Sequence, residues 1–192
     1  VVLGLAFVLQ RSLLLALVPL LQIAAQLVLV DFQVVALNVV TDGQSQVMRL
    51  VALLQEPQHI NGFWIYPQGW LGAPVGSQQV SAFQVDLTAG GTISYSLLVI
   101  IIVLAWPAKG VGVLVRRVFW GLLLAFLLLL LNVMTTFPAE VWALLHDAMA
   151  SQEIWPLLVW SKMWMGGLGL MLAVVSGVVA IALAGASRRH LL

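Results

Sequence analysis

The sequence predicts an all-α integral membrane protein. Four transmembrane helices are expected, with a small extracytoplasmic insertion, possibly part β, between helices one and two. An interfacial helix is expected between helices three and four. Three observations predict this class. The 192 residues are 62% apolar and 8% charged, with a mean hydropathy of +1.10, whereas a soluble domain averages about 25% charged residues. Four long apolar stretches divide the chain, at about 12–30, 89–106, 118–137 and 165–186. The charges also partition between the segments outside them. All seven acidic residues fall in 31–88 and 138–164, and six of the eight Lys/Arg fall at the start, in the middle loop and at the end. Cytoplasmic loops retain Lys and Arg, so both termini and the loop around Lys109, Arg116 and Arg117 are expected in the cytoplasm. The whole chain, 1–192, reads as a single membrane domain in a membrane taken to be the bacterial inner membrane.

The first span is placed at Ser12–Val30. A cleaved signal peptide competes for this segment, but its apolar run exceeds the usual signal core of about 7–15 residues. Pro19, Gln22 and Gln26 share one face by helical spacing. Amides in hydrocarbon need partners, so that face is expected to look into a bundle.

Residues 31–88 form the insertion. Gln84 and Asp86 alternate with Phe83, Val85 and Leu87, as in a half-buried strand. Phe32–Val40 reads as a second strand, ended by Thr41-Asp42-Gly43. Val47, Leu50, Val51 and Leu54 follow helical spacing and are read as a helix, although a strand fits nearly as well. The segment is small for an independent core, and Phe63, Trp64, Tyr66 and Trp70 suit a membrane surface or a partner.

The second span ends at Pro107. Its aliphatic centre, Leu97–Leu104, is read as lipid-facing. The third follows Arg116-Arg117. After it, Pro138 suits a first helical turn. Val141, Trp142, Leu145 and Met149 share a side opposite Glu140 and Asp147, so 138–164 is expected to lie in the headgroup plane. Trp106, Trp120, Trp142, Trp155, Trp160 and Trp164 flank these boundaries, where indoles prefer the headgroup level.

The chain has no Cys, which removes thiolate catalysis, thiolate metal sites and disulfides. Gly166-Gly167-Leu168-Gly169 lacks the strand and the third glycine of a dinucleotide loop. Gly72–Ser77 lacks the lysine of a phosphate loop and reads as a turn. His59, His146 and His190 are far apart, and no span contains a histidine to ligate haem or chlorophyll. Glu56 precedes His59 by three residues, but Pro57 argues against a helix there. Asp31 would lie at depth only if the first span shifted outward. No catalytic residue, metal site, cofactor or nucleic-acid surface is therefore expected.

Two constellations remain. Gly169, Ala173 and Gly177 recur every four residues, and Ala180 extends the stripe. Gly121, Ala125 and Asn132 form a similar stripe in the third span. Small residues let helix backbones approach closely in lipid, within this chain or against another membrane protein. Lys109, Arg116 and Arg117 set topology and suit anionic lipid headgroups. The expected function is a non-enzymatic accessory, assembly or scaffolding subunit whose partners are other integral membrane proteins and lipids. One alternative is a small transporter or channel subunit using Gln22, Gln26 and Asn132. Another is a membrane enzyme acting at the outer surface through His59, His146 and nearby carboxylates.

Overall fold

The computed structural model describes residues 2–42, 45–60, 63–75, 77–148 and 156–186. In chain order these form α1 (Val2–Val28), β1 (Phe32–Asp42), β2 (Ser45–Leu54), β3 (Gln58–Ile60), β4 (Phe63–Pro67), β5 (Gln78–Val80) and β6 (Phe83–Thr88). Then follow α2 (Ala89–Ala105), α3 (Val111–Ala148), α4 (Pro156–Met163), a π turn (Trp164–Leu168) and α5 (Gly169–Ala186).

The all-α four-span expectation is overturned. Two three-stranded sheets occupy the insertion. Among the described residues, two helical stretches are long and apolar enough to cross a membrane, Val111–Leu145 and Leu158–Gly185. The apolar lengths of α1 and α2, Ser12–Val28 and Ala89–Ala105, are shorter. At 1.5 Å per residue, the 17 residues of α2 rise about 25 Å, below the ~30 Å hydrocarbon core. The first helix stops at Val28 because the chain turns directly into β1.

The interfacial helix is also corrected. Pro138 lies inside α3, which runs unbroken through Ala148. Its far end is buried: Phe137, Ala139, Val141, Trp142 and Leu145 are inaccessible or nearly so. Apolar contacts, not headgroups, receive that face. Met149 and the linker to Pro156 lie outside the described residues.

The chain divides into two compact units. The first comprises Val1–Ala89 and Val133–Lys162. Its larger sheet is antiparallel, ordered β1-β2-β6. The expected strands at 32–40 and 83–87 fall on β1 and β6. The helix expected at 47–54 is instead β2, the central strand. Met48, Leu50, Ala52 and Leu54 are buried at a spacing of two, and pairing on both sides overrides local helical spacing. Phe32 meets Phe83 edge-on at 5.6 Å and Trp142 of α3 edge-on at 5.3 Å. Such pairs contribute about 0.5–1.5 kcal/mol beyond area burial. The smaller sheet, β3-β4-β5, joins β3 to β4 antiparallel and β4 to β5 parallel.

The second unit comprises Gly90–Asn132 and Met163–Leu192. It holds α2, the first part of α3, the π turn and α5. Here α2 is the shared partner: Ile93, Val99 and Val103 are buried. The lipid-facing reading of its aliphatic centre is therefore corrected for Val99 and Val103, on the side where glycine-bearing helices close, while Ile101 and Leu104 stay exposed.

Candidate functional site

The small-residue stripes resolve into two seams on α2. A Cβ placed on Gly177 would stand 2.7 Å from Ile102 Cγ2, and one on Gly121 would stand 2.9 Å from Val103 Cγ2. Both distances are closer than a real Cβ contact, so a larger residue at either position forces the Ile102 or Val103 side chain of α2 to shift. Ala173 and Ala180 are fully buried along the same stripe of α5, and Ala125 is buried on α3. These residues pack helices of this chain together, so the stripe itself is occupied.

The third glycine of the seam, Gly169, sits at a break. A Cβ there would lie 2.8 Å from Cε2 and Cζ of Tyr95. The backbone N–H of Gly169 reaches back to the carbonyl of Trp164, closing the π turn, and Gly167 within it has φ 129°. Only glycine adopts that conformation without strain. The Tyr95 ring stands edge-on to Trp164 at 5.7 Å, and its hydroxyl donates to the Trp164 carbonyl at 3.5 Å. One tyrosine of α2 thus fills the notch that the π turn opens. The Gly-Gly-Leu-Gly run carries the kink at this π turn.

The polar residues of the helices serve backbone groups. Gln26 grips β1 at two points: its Nε2 donates to the Phe32 carbonyl at 2.8 Å, and its Oε1 accepts the Val34 N–H at 2.7 Å. Gln22 donates to the Val34 carbonyl at 3.4 Å. The pairing of β1 with β2 shifts register between Val34 and Ala36, so the glutamines hold the strand beside a bulge. An open strand edge presents unpaired N–H and C=O groups, and here two side-chain amides bond those of Phe32 and Val34 at its start. Asn132 of α3 links two helices instead, donating from Nδ2 to the Thr92 carbonyl in the first turn of α2 at 2.8 Å. Gln22 and Gln26 lie in the first unit and Asn132 in the second. Each is engaged within its own unit.

The basic cluster also separates. Lys109 is exposed, and Arg116 is half-buried, with Nε donating to the Gly112 carbonyl at 3.3 Å. Arg117 is only 5% exposed. Its Nη1 donates to the Trp106 carbonyl at 2.6 Å and to the Pro107 carbonyl at 3.4 Å. Proline cannot continue α2, and the guanidinium accepts the task of capping the carbonyls left over, where the helix dipole favours a cation. Lys109 and Arg116 keep a surface position suited to headgroups; Arg117 does not.

Elsewhere the chemistry is sparse. Asp31 is exposed in the turn before β1, and its carbonyl accepts the Gln55 N–H. His59 is exposed beside Trp64, ring centroids 5.0 Å apart. The side chains of His146 and His190 lie outside the described residues. Among the described residues no group of three His, Asp or Glu could hold a metal. On the exposed face of the larger sheet, Arg49 of β2 and Asp86 of β6 form a two-point ion pair at 2.8 and 2.7 Å. That hydrogen bonding by Arg49 holds the Asp86 carboxyl below its ordinary value.

Sequence reasoning passed over Thr92, Tyr95 and Ser96. Their spacing of three and four, continued by Val99 and Val103, was the available signal for a buried face on α2. Comparisons with family models, curated proteins and solved structures find no match to this chain.

Proposed function

We propose that this chain is a membrane-embedded accessory or scaffolding subunit, without a catalytic step of its own, that assembles with other integral membrane proteins. The observation that carries the reading is the engagement of its helix-borne polar groups. Gln22, Gln26, Asn132 and Arg117 all bond to backbone carbonyls or N–H groups of neighbouring elements. A transport path needs such groups facing a substrate; here they fasten strands and helix ends. The two span-length helices support membrane residence. The bacterial inner membrane is the setting we infer, with the Lys109–Arg117 end of α3 and both chain ends on the cytoplasmic side, by the excess of Lys and Arg there. Lys109 and Arg116 would meet anionic headgroups.

Because the small stripe is filled by α2, a partner helix would use the opposite face of α5. Met171, Val174, Val175 and Val178 are exposed there. Photo-crosslinking residues placed at Val175 and Val178 in native membranes test this. A discrete adduct with one membrane protein is expected. Lipid adducts alone at both positions, with the native protein recovered as a lone monomer in mild detergent, would refute the assignment.

A further inference from the structure

We propose that the outer face of the smaller sheet, together with the connection between β4 and β5, inserts into the headgroup–acyl boundary of a lipid bilayer. This does not rest on the accessory-subunit reading.

The sheet has two unlike faces. Ile65 is fully buried on one. On the other, His59 and Trp64 form a cross-strand pair, and Trp64 and Tyr66, two residues apart on β4, stand 6.4 Å apart. Trp64 is 53% exposed, an unusual position for a tryptophan in contact with water alone. The connection from β4 to β5 is built from successive turns, Trp70 N–H to Pro67 carbonyl, Ala73 N–H to Trp70 carbonyl and Ser77 N–H to Pro74 carbonyl. Gly69 and Gly72 take positive φ within it. It holds its apolar side chains out: Trp70 is 40% exposed, Leu71 97% and Val75 107%.

The occupant follows from charge and composition. From Pro57 to Val85 the chain has no Asp, Glu, Lys or Arg. A water-facing segment of that length normally carries several charges, and a protein partner would be recognised through a polar rim. Uncharged apolar tips beside tryptophan and tyrosine match the bilayer interface, where amphipathic rings sit at headgroup level. The same chain carries two helices long and apolar enough to cross a bilayer.

The chain contains no Cys, so single cysteines can be introduced by Leu71→Cys, Val75→Cys and, as a control at an exposed position beside Glu56, Gln55→Cys. Each purified variant is labelled with an environment-sensitive nitrobenzoxadiazole and reconstituted in phosphatidylcholine vesicles, with and without nitroxide-labelled phosphatidylcholine. Leu71 and Val75 make almost no packing contacts, so their replacement leaves the fold intact. Blue-shifted emission at both, quenched by nitroxide lipid at least threefold more than at Gln55, is the expected result. Water-like emission at both would overturn the proposal. So would blue-shifted emission that nitroxide lipid fails to quench, the outcome if a second copy or another protein covered the surface.

Discussion

The two compact units hold themselves together by opposite means. In the sheet-bearing unit, long polar side chains reach out to the backbone: Gln26 and Gln22 close the edge of β1. In the helical unit, side chains are largely withdrawn so that helices can touch: Gly121, Gly169 and Gly177 admit Val103, Tyr95 and Ile102 of α2. The difference follows from what each element leaves unsatisfied. A helix bonds its own backbone except at its ends and at breaks, so its remaining need is close packing, for which lipid offers no hydrophobic drive. A strand edge leaves donors and acceptors open along its length. In a chain this apolar few polar groups are at hand, and Gln22, Gln26 and Arg117 serve the edge of β1 and the end of α2.

The largest effects should come from filling the helical seams. Gly169→Leu and Gly177→Leu each drive a bulky side chain into α2, and overpacking typically costs ~1–3 kcal/mol. Val175→Leu and Ala182→Leu, on exposed positions of the same helix, should change stability little. Thermal unfolding in lipid nanodiscs compares the four; equal behaviour would remove close approach as the principle of this unit.

Next in size is the glutamine clasp. Gln26→Leu leaves the Val34 N–H and the Phe32 carbonyl unpaired, a loss of ~1–3 kcal/mol. Gln26→Glu separates the two halves of the clasp. Its carboxylate still accepts the Val34 N–H but repels the Phe32 carbonyl, so stability at neutral pH should lie below wild type and recover on acidification. A Glu variant insensitive to pH would show that Gln26 does not face that carbonyl. Asn132→Leu removes the donor to the Thr92 carbonyl; cross-helix bonds in membranes contribute ~0.6–1.7 kcal/mol, and the same unfolding series measures the loss.

The smallest effect concerns Arg49 and Asp86. The folded-state pKa of Asp86 is lowered, so the pair stabilises above the ordinary carboxylate range and its contribution disappears as pH falls through the lowered folded value. Exposed pairs contribute only ~0.2–1 kcal/mol. Asp86→Asn should therefore destabilise slightly at pH 7, with the penalty fading as pH falls through the lowered folded value of Asp86, and a penalty that did not diminish with acidification would point to packing instead.

How much of this was legible in the sequence depended on how local the determinants were. The alternation at Phe83–Leu87 marks a strand because one face is buried and the other wet. The small-residue periodicity of α5 is likewise a local pattern, although its occupant, α2, is not. The strand β2 was legible only as one of two readings: Val47, Leu50, Val51 and Leu54 fit a helix and a strand nearly equally, and pairing with β1 and β6 settles the outcome. Pro138 carried the signature of a helix start, yet α3 passes through it because its far end is buried around Trp142. Of the candidate site residues, Gln22 and Gln26 were recognisable as needing partners. The partner, a strand edge a few residues further along the same chain, was hidden by the expectation of a helical bundle. Arg117 looked like its neighbours Lys109 and Arg116; its burial depends on where Pro107 ends α2.

The claim that polar side chains of this chain serve its own backbone is tested most directly at Val34. Its N–H donates to the side-chain Oε1 of Gln26 at 2.7 Å. Site-resolved amide hydrogen exchange in nanodiscs, comparing wild type with Gln26→Leu, reads that bond by itself. The account expects slow exchange at Val34 in wild type and an acceleration on the order of 10-fold or more in the variant, as each 1.4 kcal/mol of local protection corresponds to tenfold, with the amide of Leu50 in the central strand much less affected. Equal exchange at Val34 in the two proteins would contradict it.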